Sequence, residues 1–174
     1  MRRIVFVALA LAVAPDVAGA VDYPTRKAGL WELTMTMAAA GGRTITMSQC
    51  TDPATDKDLI TNASPNMQQV CTRSELQKTA TGYASDSTCK FGAMTSTSHS
   101  EISGDFNSAY TVAVTGHNTG GPAGMPADTN MTIAAKWVGP CKADQTPGDM
   151  VMPGGMKINV KEMQKMRSMM APPK

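Results

Sequence analysis

The sequence predicts a mostly β protein: a single antiparallel sheet, strongly curved or closed into a barrel-like meander, with one short helix and a C-terminal helical tail. In about seven segments, apolar residues recur at every second position, as half-buried strands require. Short turns join these segments, and the strand–helix–strand rhythm of a parallel sheet does not occur. These two observations together favour an antiparallel meander.

The first 20 residues have the pattern of a cleavable signal peptide. Arg2 and Arg3 precede an apolar run at residues 4–14, and residues 18–20 are small, as a signal peptidase requires. The run is far shorter than the roughly 20 apolar residues that span a bilayer. We therefore expect cleavage after Ala20, a periplasmic or secreted product, and no stable membrane span in the mature chain.

The mature chain is close to electrical neutrality. Removal of residues 1–20 takes away Arg2, Arg3 and Asp16, which lowers the formal net charge from +2 to +1. A protein that binds nucleic acid through its phosphates needs a strongly basic surface. The charge balance therefore predicts no nucleic-acid partner.

The first two strands are predicted at Gly29–Met37 and Arg43–Cys50. Apolar and polar side chains alternate in both, and a small glycine-ended loop joins them as a hairpin. A short helix is expected next, with Asp52 as its N-cap and Pro53 at its first position, and it should continue to about Thr61.

A second hairpin is predicted from Cys71–Lys78 and Tyr83–Phe91. A three-residue loop at residues 79–81 would place Cys71 opposite Cys89, whereas a slip of one residue would put them on opposite faces. Three more strands follow, the last two separated by a Gly- and Pro-rich loop: Ala93–Glu101, Asp105–Thr115 and Thr129–Trp137.

The chain changes character after Cys141. We therefore predict a disulfide-stapled β domain at residues 21–141 and a separate tail at residues 142–174. Residues 140–155 are rich in Pro and Gly and should be irregular. From about Met156 the apolar spacing becomes helical, and the predicted helix ends at Pro172.

All four cysteines lie in the predicted β domain. An even number of cysteines in an exported chain favours two disulfides. A zinc site would need two of them two to four residues apart, and the nearest two are 18 apart. Three pairings are possible. The hairpin favours Cys71–Cys89, which leaves Cys50–Cys141.

The sequence contains no recognisable catalytic constellation and predicts no cofactor. His99 and His117 are the only histidines. Ser98 and Ser100 flank His99, but alternation in a strand puts them on its other face, so they cannot complete a catalytic triad with it. We predict that the protein is not an enzyme. A hydrolase with an unrecognised site around one histidine is the alternative.

Methionine is the compositional outlier, with 15 residues, many of them near the C-terminus. Thioethers bind the soft ion Cu(I), so copper handling by the tail is an alternative function. Methionine also fills adaptable apolar surfaces, and that interpretation is favoured here. The candidate metal ligands are Met163, Met166, Met169 and Met170.

A binding or interaction module of the cell envelope is the favoured function. A curved sheet can hold a small apolar ligand or present an edge to an envelope partner. The same apolar residues could instead fill an ordinary core. The candidate ligand-binding residues are Trp31, Leu33, Met35, Tyr110, Val112, Ile133 and Trp137.

Several of these pieces together resemble Domain of Unknown Function 3617, a family of exported bacterial proteins. The resemblance rests on the segment Lys27-Ala28-Gly29-Leu30-Trp31-Glu32 shortly after the signal peptide. It continues with Cys50 at the end of the second strand, the cysteines Cys71 and Cys89, and the segment from Trp137 to Cys141. It implies a periplasmic or secreted domain without an established activity, and it supplies no catalytic residue.

Overall fold

The computed structural model describes residues 24–38, 41–58 and 70–170, with the side chains of residues 72–75, 164 and 167–170 also left out. The predicted signal peptide and its cleavage site lie outside these residues. Among the described residues, no helix combines the length and apolarity needed to cross a bilayer.

Nine strands form one antiparallel sheet in this part of the chain, and two short helices accompany it. The helices are α1 (residues 53–58) and α2 (Val160–Met170). The strands are β1 (Gly29–Met37), β2 (Arg43–Thr51), β3 (Cys71–Lys78), β4 (Gly82–Phe91), β5 (Met94–Asp105), β6 (Ala109–Thr119), β7 (Asp128–Gly139), β8 (Asp149–Val151) and β9 (Lys157–Asn159).

The strands lie in the order β3-β4-β5-β6-β7-β1-β2-β8-β9. Strands β3 to β7 form a meander, and β1 is inserted between β7 and β2. The sheet is open, with β3 at one edge and β9 at the other, and it is not strongly curled. The predicted antiparallel sheet is confirmed, but the expected closure into a barrel is not found.

Strand β6 is displaced from its predicted position at Asp105–Thr115. Residues 106–108 form a turn because the Asp105 carboxylate accepts hydrogen bonds from the backbone N–H of Asn107 (2.9 Å) and the hydroxyl of Ser108 (2.8 Å). An Asp side chain that bonds the backbone two residues on favours a turn over a strand. The strand therefore starts at Ala109 and continues to Thr119.

The sheet continues past Cys141. The expectation that residues 140–155 are irregular is wrong for β8, which pairs with β2 and β9. Asp149 starts this strand, and its carboxylate accepts from the Thr146 N–H (2.8 Å) and the Asn159 amide (2.8 Å). The short strands β8 and β9 are too brief for alternation to be visible in the sequence.

Helix α2 starts at Val160, four residues later than its apolar spacing suggested. The side-chain oxygen of Asn159 accepts hydrogen bonds from the N–H groups of Lys161 (3.0 Å) and Glu162 (3.3 Å). Asn159 is therefore the N-cap. Met156, predicted as part of the helix, lies in the turn before β9 and is 61% exposed.

The start of α1 is as predicted. The Asp52 carboxylate accepts a hydrogen bond from the Thr55 N–H at 2.7 Å, as an N-cap does, and Pro53 is the first helical residue. The predicted end near Thr61 lies outside the described residues.

The cysteines lie in two pairs at disulfide distance, Cys50 with Cys141 and Cys71 with Cys89. In the β3–β4 hairpin the cysteines pair as predicted, but the strand register near the turn differs from the predicted one. Lys78 lies opposite Tyr83, one residue out of the register that a three-residue loop would set. A bulge between Cys71 and Arg73 restores the register and places Cys71 opposite Cys89.

The two faces of the sheet differ in polarity. Cross-strand register places the apolar residues of β1, β2, β6 and β7 side by side on one face, called here the apolar face: Leu33, Met35, Ile45, Met47, Tyr110, Val112 and Ile133. The opposite, polar face carries Glu32 and rows of threonines. The fully buried apolar residues gather where β1, β2 and β7 meet and at the Cys89 bridge: Leu30, Trp31, Cys50, Cys89 and Ala135.

Gly29 begins β1 in a conformation that only glycine adopts easily, with φ at +132°. A Cβ atom there would collide with the Gly139 carbonyl oxygen and lie 2.6 Å from the indole nitrogen of Trp137. That indole donates a hydrogen bond to the Ala28 carbonyl at 3.0 Å. Gly29 is therefore required for the close approach of β1 and β7.

Substitution Gly29→Ala should lower the free energy of unfolding by about 2–4 kcal/mol, because it adds both backbone strain and overpacking. Chemical denaturation measures the loss. Gly124→Ala is the matched control, since Gly124 also has a positive φ (+88°) but has nothing within 4 Å of the added Cβ. Equal losses for the two variants would contradict the proposed collision.

Candidate functional site

An open pocket of about 310 Å³ lies on the apolar face, between the N-terminal segment, helix α1 and the strands. It is called here the Arg26 pocket. Most of its wall is apolar or aromatic, and three polar side chains stand at one end of it. Its lining residues are Pro24, Arg26, Leu33, Gln49, Asp56, Ile102, Phe106, Tyr110, Val112 and Ile133.

A buried ion pair closes the polar end of the Arg26 pocket. The Asp56 carboxylate accepts hydrogen bonds from the Arg26 backbone N–H (2.9 Å), from Nε (3.0 Å) and from Nη2 (2.6 Å). It also accepts one from the Thr51 hydroxyl at 2.8 Å. The two charged side chains are only 11% and 3% exposed. This pair ties the N-terminal segment to helix α1 and to the end of β2.

Both charges are well compensated. Burial works to lower the pKa of Arg26, but the hydrogen bonds and charge of Asp56, with a smaller contribution from Tyr110, hold it above its usual range. Burial also raises the pKa of Tyr110, and the Asp56 charge adds to this, while Arg26 opposes it. Arg26 therefore keeps its charge, and the opposite charges of this ion pair sum to zero.

Aromatic rings form a row beside the pocket, and two of them, Phe106 and Tyr110, line it. The Arg26 guanidinium lies 5.8 Å from the Trp31 ring centre, and Trp31 lies 5.5 Å from Tyr110. Phe106 stacks on Tyr110 at 5.0 Å, and Tyr83 meets Phe106 edge-on at 6.1 Å. Offset and edge-on arrangements are the ones that aromatic pairs prefer. Two stacked rings, Phe106 and Tyr110, therefore form part of the pocket wall.

The structure brings together four of the seven predicted ligand-binding residues. Leu33, Tyr110, Val112 and Ile133 line the Arg26 pocket. Trp31 does not line the pocket: it is fully buried beside Arg26, with its indole donating to the Lys27 carbonyl at 2.8 Å.

The other two predicted residues lie elsewhere. Met35 is on the apolar face, directly opposite Ile133, but does not line the pocket. Trp137 lines a different, more polar pocket with Glu32, and the Lys27 ammonium group lies 3.6 Å from its ring centre.

Sequence reasoning missed the polar residues of the pocket. Arg26 lies directly before the segment Lys27–Glu32, and Asp56 lies within the short helix predicted to start at Pro53. Gln49 stands on the apolar side of β2, where alternation predicts an apolar residue. That break in the pattern is the one signal that could have identified the pocket.

Each histidine is paired with an aspartate on the polar face. His99 Nδ1 lies 2.7 Å from Asp86 Oδ1, and His117 Nδ1 lies 2.8 Å from Asp128 Oδ1. Both pairs are directly opposite in the strand register and exposed to solvent. Ser98 lies on the other face, where its hydroxyl is 2.7 Å from that of Ser87.

The predicted copper ligands lie on α2. Met163 and Met166 are 37% and 56% exposed, while the side chains of Met169 and Met170 lie outside the described residues. Copper binding by these four methionines stays a prediction. In the part of the chain that the structure describes, no three His, Cys, Asp or Glu side chains are placed to hold a metal ion.

One protein family matches the chain. A model described as "Protein of unknown function (DUF3617)" matches residues 26–141, about two thirds of the sequence. The match begins at the arginine of the buried pair and ends at the cysteine that pairs with Cys50. No curated protein and no solved structure matches the chain.

Loss of one member of the buried pair should cost more stability than loss of both. Asp56→Ala leaves a buried, unpaired guanidinium and should lower the free energy of unfolding by about 3–5 kcal/mol, whereas Arg26→Met with Asp56→Leu should cost clearly less. Chemical denaturation of the variants measures this. Asp52→Ala, which removes only the helix cap, should cost about 1 kcal/mol. A double variant less stable than Asp56→Ala would contradict the prediction.

The Asp86 carboxylate should control the titration of His99. Its hydrogen bond is the main cause that raises the pKa of His99 above its usual value of 6.5. The resulting stabilisation is therefore present below pH 6.5 and is lost as the pH rises through the folded-state value. NMR titration should show a lower His99 pKa in Asp86→Asn. Asp128→Asn, the control, should leave the His99 curve in place; a shift there would show long-range effects instead.

Proposed function

We propose, from the premise that the chain belongs to the DUF3617 family, that it is an exported, non-catalytic binding module of the cell envelope. Its ligand is a small apolar molecule held in the Arg26 pocket. The match itself carries no activity, since the family is described as one of unknown function. The proposal therefore rests on the pocket.

The observation that carries the proposal is open space where a core is expected. Protein interiors are close-packed, with few voids larger than a water molecule. The Arg26 pocket has about 310 Å³, at the lower end of the range for small-molecule sites, and its walls are mainly Leu, Ile, Val and aromatic side chains. The stacked rings of Phe106 and Tyr110 border this space.

Export is the second part of the proposal. Two cysteine pairs at disulfide distance support it, because disulfides persist in oxidising compartments and are rare in the cytosol. The pattern at residues 1–20 predicts that the chain is exported by means of a cleavable signal peptide. Within residues 24–38, 41–58 and 70–170, the hydrolase and the copper alternatives have no comparable support, so the binding module is preferred.

Filling the pocket should abolish binding of a neutral apolar probe. N-phenyl-1-naphthylamine fluoresces when it leaves water, and it should bind the mature protein with an affinity that Val112→Trp lowers at least tenfold. Val112 lines the pocket, so the larger ring occupies the ligand's space.

Thr111→Trp is the matched control, because Thr111 is the neighbouring residue on the polar face of β6. It should leave probe affinity within a factor of about two. Circular dichroism shows whether each variant is folded. Equal binding by the wild type and a folded Val112→Trp variant would reject the pocket as the site.

A further inference from the structure

Gln49 is a buried polar residue in an apolar environment. It lies on β2, directly opposite Trp31 on β1 and Met150 on β8. It is only 4% exposed and lines the Arg26 pocket. Every neighbour in the pocket wall other than the Arg26–Asp56 pair and the Tyr110 hydroxyl is apolar.

The side-chain amide of Gln49 has no hydrogen-bond partner among the described residues, yet it keeps some contact with solvent, since Thr55 Oγ1 is the one enclosed polar side-chain atom there without a partner. By contrast, Asp56 accepts from Arg26 and Thr51, and Arg26 is held by Asp56 and Tyr110. An amide that reaches solvent within a mostly apolar pocket can pair with water there, and a ligand that displaces this water keeps its affinity only if it replaces the hydrogen bond. The Gln49 amide is therefore available to a molecule in the pocket.

We propose that the Arg26 pocket selects an uncharged amphiphile, whose apolar body lies along Leu33, Ile102, Val112 and Ile133 and whose single carboxamide pairs with Gln49. This inference rests on the proposed function and adds the ligand's chemical class. The side chain of Gln49 presents both an acceptor and donors, so a second primary amide satisfies it with two hydrogen bonds.

The charge distribution of the pocket disfavours binding of an ionised ligand. The Arg26 guanidinium is the cation in the pocket wall, and four donor groups of Arg26 and Thr51 make five hydrogen bonds that hold the Asp56 carboxylate in place. The pair has no net charge left to attract an anionic head group. Moving a carboxylate from water into this pocket would cost its desolvation without an opposite charge to offset it.

The test is displacement of N-phenyl-1-naphthylamine from the mature protein by octanamide and by octanoate at pH 8. These probes have the same chain length and differ in the charge of the head group. The wild type should bind octanamide at least tenfold more tightly than octanoate. Gln49→Met keeps the length of the side chain and removes the amide, so it should weaken octanamide binding about tenfold, once the displacement is referred to the naphthylamine affinity measured directly on the same variant.

Thr46→Met, on the polar side of the same strand, is the control and should leave both affinities unchanged. A measurement on the wild type alone guards against misfolding of the variant: the side-chain amide signals of Gln49 in ¹⁵N spectra should move when octanamide is added and stay in place with octanoate.

The measurements distinguish binding in the Arg26 pocket from selection of an amide by Gln49. If the naphthylamine does not bind the wild type, or binds a folded Val112→Trp variant equally well, the pocket is not the site and the proposed function falls. If it binds in the pocket but Gln49→Met leaves the octanamide affinity unchanged, or octanoate binds as tightly, the amide selection is overturned and the binding function stands.

Discussion

The nine strands lie in a single layer, and this constraint shapes everything else in the described structure. A sheet with one apolar face must bury that face against another element. Here helix α1 and the segment before β1 are the described elements that stand against it at the Arg26 pocket. Full burial of apolar residues is confined to a few positions near the meeting of β1, β2 and β7 and at Cys89. The remainder of the apolar face is half-buried, and that is where a pocket can exist.

The Arg26–Asp56 pair holds the two ends of the β1–β2 hairpin together. Arg26 precedes β1 and Asp56 follows β2, so the pair closes the hairpin on the side opposite its turn, and Cys50–Cys141 fixes the same end of the sheet. The family match begins and ends at these two features. A buried ion pair contributes little net stability by itself, but its hydrogen bonds fix geometry. In this fold the Arg26–Asp56 pair positions the segment before β1, which lines one side of the pocket.

Period-two alternation predicted the long strands well, because one face of each is half-buried and the other is exposed. β1 and β3 have their predicted bounds. Alternation could not reveal β8 and β9, which have three residues each, or the start of β6, which the Asp105 turn decides. The polar end of the pocket was also beyond prediction, because the bond from Arg26 to Asp56 joins residues 30 positions apart that only the folded hairpin brings together.

The position of β1 has a consequence for how the chain folds. Each pairing within the meander β3 to β7 joins strands that are consecutive in sequence, so each of its hairpins can form from local contacts. β1 is different: its partner β7 lies about a hundred residues later, with Trp31 opposite Trp137. Pairings of high sequence separation form slowly, because loop-closure entropy is lost before any contact compensates for it. We therefore expect the centre of the sheet to assemble last, when β1 of the β1–β2 hairpin pairs with β7 of the completed meander.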